Sequence, residues 1–158
     1  PRTARILDAL RRTLDAHAVP LTIKIRGGWD DACLNAVEVA RMAQDVGVAA
    51  ITVHPRTRSQ HYAGRAPWDV IADVVRAVDI PVTGNGDVTS MAEARAMMAA
   101  TGCQSVMVGS GALGRPWVFV SVRMVSSTAR VGPEGGEPGR CAAGPAARNR
   151  TSPMTGSK

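Results

Sequence analysis

Apolar and polar positions alternate with a period of two in four short runs of this chain. They read LTIKIR at residues 21–26, AITVH at 50–54, IPVTGNGD at 80–87 and SVMVGSG at 105–111. Strict alternation over so few residues is the signature of a strand. Between the runs the apolar spacing changes to that of a helix. Residues 2–16 carry Ile6, Leu7, Leu10 and Leu14, and Val19-Pro20 stops that helix. The next helix has Val37, Val39, Ala40, Ala43 and Val46 on one face, with Asp30 or Asp31 as its expected N-cap and Gly47 as its stop. Residues 68–78 place Val70, Ile71, Val74, Val75 and Val78 at helical spacing. Ser90 and Glu93 have the separation of a capping box, opening a helix that runs to Thr101 and closes at Gly102. A short helix is expected at Pro116-Trp117.

Strands that alternate with helices predict an α/β fold with a parallel sheet. The length of 158 residues suits one domain, and falls short of the roughly 250 residues that a whole eight-fold βα barrel uses. Past about Val120 the pattern breaks. Residues 131–158 are rich in Gly, Pro, Ala, Arg, Ser and Thr and nearly devoid of large apolar side chains. Such a stretch buries too little surface to offset chain entropy. The expected division is therefore a folded part, 1–119, and a disordered low-complexity tail, 120–158, that looks like out-of-frame or degenerate coding sequence. The first residue is Pro1, so an internal piece of a longer chain is expected.

Composition narrows the class. Hydrophobic residues make up 45% of the chain and aromatics 3%, so aliphatic side chains must build the core. The net charge of +6 favours a polyanionic partner such as nucleic acid, although an Arg- and Ala-rich genome produces the same balance. Cys33, Cys103 and Cys141 form no CxxC pair and have no zinc spacing, so no metal site is expected. With no secretory signal and no apolar run near the roughly 20 residues of a membrane span, a cytoplasmic protein without membrane association is expected.

The chemistry gathers at the carboxyl ends of the strands, where parallel α/β sheets carry their sites. Alternation puts Lys24 and Arg26 on one face of the first strand, Thr52 and His54 on one face of the second, and Thr83 and Asn85 on one face of the third. Parallel strands are usually apolar on both faces, so a polar inner face needs a reason, and a bound ligand supplies one. Lys24 reads either as a snorkelling surface lysine or as a cation set against an electron-rich ligand; His54 reads as a packed histidine or a ligand contact. Gly84-Asn85-Gly86-Asp87 allows close backbone approach, with Asn85 as donor and acceptor, or is an ordinary left-handed turn. Gly109-Ser110-Gly111 precedes a helix start, where backbone N–H groups can cradle a phosphate. The loop from Arg56 to Tyr62 offers two arginines for phosphates and a ring for stacking on a base, or is a solvated loop.

Taken together, KIRGGWD at 24–30, TVHPRTRSQHYAG at 52–64, APW at 66–68, GNGD at 84–87 and GSGALGRPW at 109–117 resemble the tRNA-dihydrouridine synthases, and among them a bacterial subgroup related to a nitrogen-regulation protein. The resemblance covers residues 1–119. It implies a partial TIM (βα) barrel of about four βα units, corresponding to strands 5–8 of an FMN-binding barrel. It also implies an activity, reduction of the C5=C6 bond of uridine in tRNA, with FMN as cofactor and NADPH as reductant. By position it implies that Lys24 and His54 contact the flavin rings, that Asn85, Gly86 and Asp87 hold the ribityl and ring region, and that Gly109 and Ser110 bind the FMN phosphate. Arg26, Arg56 and Arg58 would face the uridine or tRNA phosphates.

The chain also departs from that family. The family's proton donor is a cysteine in an Asn-x-x-Cys-Pro motif, which is absent here, and Cys33 does not occupy its place. On that resemblance, residues 1–119 are expected to lack the first half of the barrel, and the low-complexity tail is expected to stand in place of the helical tRNA-gripping domain. Ser110 stands where the family usually has Arg, and Pro55 where it often has Gly. No catalytic residue is therefore assigned, and the chain alone is expected to be inactive. Its open first and last strands invite self-association. The alternative expectation is a non-enzymatic phosphate- or nucleotide-binding half barrel, closed as a homodimer.

Overall fold

The computed structural model describes residues 2–119, and the expected tail, 120–158, with Cys141, lies outside the described residues. The order of elements is α1 (Arg2–Asp15), β1 (Thr22–Arg26), α2 (Ala36–Val46), β2 (Ala50–His54), α3 (Asp69–Ala77), β3 (Val82–Asn85), α4 (Met91–Thr101), β4 (Ser105–Met107), and two 3-10 turns, Ser110–Ala112 and Pro116–Phe119. The strands form one parallel sheet in the order β1-β2-β3-β4. This is the parallel α/β sheet that the alternation predicts, and it is compatible with the partial βα barrel that the resemblance implies: each strand neighbours the next in sequence, with a helix between them.

The register explains the period of two. Ile23, Ile51 and Val82 lie side by side, as do Ile25, Val53, Gly84 and Val106. These rows face the helices. Ile51, Val53 and Val82 are buried with Ala40 and Ala43 of α2, Ile71 and Val74 of α3, and Met97 of α4. Full burial of such an aliphatic side chain is worth about 1.5 to 3 kcal/mol, so this layer carries most of the fold's cohesion. Small residues on α2 and Gly84 let the layers approach. A Cβ on Gly84 would stand 2.5 Å from Met97 Sδ.

The opposite face is polar and has no layer over it among the described residues. Lys24, Thr52, Thr83 and Ser105 form one row across all four strands, and the hydroxyls of Thr83 and Ser105 are 2.6 Å apart. Within the described residues β1 and β4 each have one neighbouring strand, so both outer edges are open. Ile6 and Leu10 of α1, and Trp117 and Phe119 of the last 3-10 turn, are exposed.

Three boundaries differ from those expected. Neither Asp30 nor Asp31 caps α2; Asn35 occupies the N-cap position without a side-chain bond. Asp30 instead accepts from the Ala32 N–H at 3.1 Å, a local turn that satisfies it before the helix starts. β3 ends at Asn85 rather than running through Asp87, because Gly86 (φ 139°) and Asp87 (φ 54°) leave the extended region. β4 ends at Met107, and Gly109 begins the turn that follows. The Ser90 cap forms as expected, with Oγ accepting from Glu93 N–H at 3.2 Å. The returning Glu93 carboxylate takes the N–H of Thr89, at 2.7 Å, and its hydroxyl. Gly47 and Gly102 close α2 and α4 in the left-handed conformation.

Candidate functional site

The carboxyl rim of the sheet is held together by its loops. Beyond β1 and β2 the backbones stay joined: Gly27 N–H donates to Arg56 O, Arg58 N–H to Gly28 O and Ser59 N–H to Trp29 O. The approach is close enough that a Cβ on Gly27 would stand 2.2 Å from Pro55 O. The Arg26 guanidinium adds a bond to Thr57 O at 3.0 Å. Across the next gap, the turn after β3 is clasped by the loop after β2. Trp68 Nε1 donates to Gly86 O, Ala66 N–H to the Asp87 carboxylate, and His54 Nδ1 lies 3.2 Å from Asn85 O. Asn85 Nδ2 donates to Met107 O at 2.8 Å, which ties β3 to β4. Finally, Gly111 packs on the backbone after β3, where a Cβ would stand 2.2 Å from Val88 O.

These contacts enclose a cavity of about 400 Å³ on the polar face. Lys24, Arg26, His54, Arg56, Asn85, Gly86, Asp87, Gly109 and Ser110, all singled out in the sequence, line it. Residues from four strands thus converge on one hollow. Arg58 does not line it; it is exposed and its guanidinium lies against the His61 ring. Tyr62, raised in the sequence as a stacking ring, stands at the cavity edge and is 82% exposed.

Val88, Thr89 and Met107, which no sequence motif assigned to the site, also line the cavity, and Gly111 lines it too. Met107 was within reach of the period-two rule, since it sits two residues beyond Ser105 and pairs with Asn85. Gly111 belonged to the GSG run already noted. Val88 and Thr89 had no signal, because the left-handed turn at Gly86-Asp87 decides where they point.

Electrostatics make the hollow cationic. Partial desolvation, and then the charge of Arg26, lower the Lys24 pKa. Desolvation, followed by the charges of Lys24 and Arg26, lowers that of His54 against the opposing bond to Asn85 O. Burial pushes the Asp87 carboxyl up, but the Ala66 N–H and the bonds and charge of Arg56 outweigh it and hold the group below its ordinary value. Asp87 is the cavity's one acidic side chain, and it is paired with Arg56 at 2.8 Å. Lys24 and Arg26 therefore have no acidic partner there, an arrangement that favours an anionic or electron-rich ligand.

Arg56, expected to face a nucleotide, turns inward. Its Nη1 and Nη2 bond both Asp87 oxygens, at 2.8 and 2.9 Å, and Nε and Nη2 bond the carbonyls of Ala63 and Gly64. Asp87, expected among the cofactor contacts, has its carboxylate on Arg56 and Ala66.

Comparison with known proteins is consistent across relatives. The family model for dihydrouridine synthase (Dus) matches residues 2–135. A tRNA-dihydrouridine synthase B of Xanthomonas campestris is 49% identical over 119 residues, covering 75% of this chain and 35% of that protein. A probable tRNA-dihydrouridine synthase of Rickettsia conorii is 44% identical, with 75% and 35% covered. A tRNA-dihydrouridine synthase B of Pseudomonas putida is 44% identical, with 73% and 34% covered. The chain thus spans about a third of the length of these curated relatives. Among solved structures, a nitroalkane oxidase from Streptomyces ansochromogenes aligns at 20% identity and a TM-score of 0.45, over 68% of this chain and 30% of that one, a likeness too loose to bear on function.

Proposed function

The chain belongs to the dihydrouridine synthase family, and on that premise we propose that it supplies the flavin-binding rim of a tRNA-dihydrouridine synthase barrel. The observation that carries this reading is the convergence of Lys24, His54, Asn85 and the Gly109–Gly111 turn on one cationic hollow. The residues fit FMN. The exposed Gly109 and Ser110 offer backbone and hydroxyl groups for a phosphate, with no acidic side chain beside them in the cavity save the neutralised Asp87.

Bound here, FMN would supply hydride chemistry, reloaded by NADPH, for reduction of the uracil C5=C6 bond. The chain's own residues have simpler tasks. Lys24, in the cavity lining, would offset the negative charge of a reduced ring. His54, its Nδ1–H held by Asn85 O, presents Nε2 to the hollow. Asn85 uses one Nδ2 hydrogen on Met107, and its Oδ1 would be left to accept from the cofactor. Gly109 and Ser110 would hold the phosphate. Arg26 and Arg58 stand at the rim for the polynucleotide's phosphates. The Asn-x-x-Cys-Pro proton donor is absent from the sequence, so the expected outcome is flavin binding without uridine reduction.

The test is a titration of the full chain with FMN, read by quenching of flavin fluorescence, with a parallel assay for dihydrouridine in tRNA. Saturable quenching that weakens in Lys24→Ala supports the reading. Absence of quenching overturns the flavin site, and uridine reduction overturns the assignment of inactivity.

A second reading rests on the edges of β1 and β4, open among the described residues, and on the exposed apolar Ile6, Leu10, Trp117 and Phe119. In it the chain is a phosphate- or nucleotide-binding half barrel that pairs with a second copy. A colourless dimer in solution that binds phosphate compounds supports it, and a monomer overturns it.

A further inference from the structure

Arg56 and Asp87 are 31 positions apart in sequence and join the rim of β2 to the rim of β3. Arg56 is 5% exposed. Of the five N–H donors in a guanidinium, four are engaged: two on the Asp87 carboxylate, one on Ala63 O and one on Gly64 O. Its own carbonyl accepts from Gly27 N–H. The side chain therefore joins the returning limb of the loop to the turn after β3, while the backbone of the same residue is tied to the rim of β1. Asp87 is held in the left-handed region, at φ 54°, which an aspartate tolerates better than most residues but still disfavours. A third bond to its carboxylate, from Ala66 N–H at 2.8 Å, fixes the end of the same loop.

The segment between these anchors is organised for display. Thr57 is buried, and its N–H and hydroxyl bond the Gln60 side chain and backbone. Ala63 N–H donates to Gln60 O. Arg58 and Tyr62 project outward, and Tyr62 directly precedes the carbonyl that Arg56 Nε holds. With its donors turned inward, Arg56 has little left to offer a ligand.

We propose that the Arg56–Asp87 pair is a positioning brace: it sets the pose of loop residues 57–66 and thereby presents Tyr62 at the mouth of the cavity to an incoming single-stranded nucleotide. This rests on the reading of the hollow as a nucleic-acid-directed site. It makes Arg56 a residue that acts through Tyr62, not one that touches phosphate.

The experiment uses the full chain carrying Asp87→Asn, with Arg56→Lys as a second variant that keeps the charge and loses the fork. Amide hydrogen exchange is followed in peptides covering 57–66 and 69–77, and the affinity for a uridine-rich 12-nucleotide RNA is read by fluorescence anisotropy. Exchange in 57–66 is expected to accelerate about tenfold or more while that of α3 holds, the pattern of a local rather than a global opening. Tyr62→Ala is expected to weaken RNA binding about tenfold in the native background and less than about twofold beside Asp87→Asn, the non-additivity of coupled residues. Unchanged exchange in 57–66 overturns the brace, as does an equal Tyr62→Ala penalty in both backgrounds. If the native chain holds no RNA, the nucleic-acid reading fails, and the exchange pattern alone decides whether the pair braces the loop.

Discussion

His54 Nδ1 stands 3.2 Å from the carbonyl oxygen of Asn85. A carbonyl only accepts, so Nδ1 carries the hydrogen and Nε2 is left as the acceptor of the neutral ring. Desolvation and the charges of Lys24 and Arg26 resist a second proton.

The first prediction is a pH dependence. His54 is expected to titrate below the ordinary histidine value of 6.5 when followed by NMR of its ring protons. Lys24→Met should move the titration upward, because it removes the largest opposing charge. The depressed pKa means that the unfolded chain binds more protons in the window between the folded pKa and 6.5. Stability is therefore full above that window and falls as pH drops through it. Thermal midpoints measured across the window check the sign, and a midpoint that rises on acidification contradicts it.

Lys24→Met should also separate binding from folding. Lys24 shares the polar face with Arg26, and desolvation already disfavours its charge. Its replacement is expected to change stability by less than about 0.5 kcal/mol, as for surface positions generally. Affinity for FMN should fall about tenfold, a loss near 1.4 kcal/mol. Chemical denaturation and fluorescence titration of the same protein provide both numbers.

Gly111→Ala tests the turn after β4. The new methyl would stand 2.2 Å from Val88 O, a backbone atom that cannot step aside like a flexible side chain. The turn from Gly109 to Gly111 must then move away from Val88, opening the hollow where a phosphate is expected. Binding of FMN should fall more than that of riboflavin, which lacks the phosphate. Equal losses for the two ligands would place the phosphate elsewhere.

Ser90→Ala removes the N-cap of α4, whose Oγ accepts from Glu93 N–H. The expected cost is about 1 kcal/mol, read as a lower urea midpoint with an unchanged slope. The site should keep its ligand affinity, because α4 meets the sheet through Met97 and Ala94 on the other face.

Much of this was legible in the chain. The period-two alternation of TIKIR, AITVH and VTGN assigned Lys24, His54 and Asn85 to a common face, and the register bears that face out residue by residue. Ser90 and Glu93 announced their cap, and Gly47 and Gly102 their helix ends. These signals are local, since a strand's pleat and a helix's capping bonds depend on neighbours within a few positions. The α2 start was misread because Asp30 had a nearer donor in Ala32 than the helix it was expected to cap.

Other features waited on the tertiary structure. Nothing near Arg56 in sequence distinguishes it from Arg58, yet one is buried in an ion pair and the other lies on the surface. The difference comes from Asp87, which the left-handed turn at Gly86 brings beside Arg56 only once β2 and β3 are paired. Val88 and Thr89 enter the cavity through that same turn. The amino-acid pattern by itself determined which side chains stand on the polar face of the sheet, because side-chain alternation is built into an extended backbone. Which of the rim's charges bind one another, and which remain for a ligand, was decided by distances between loops far apart in sequence, and those exist only in the folded chain.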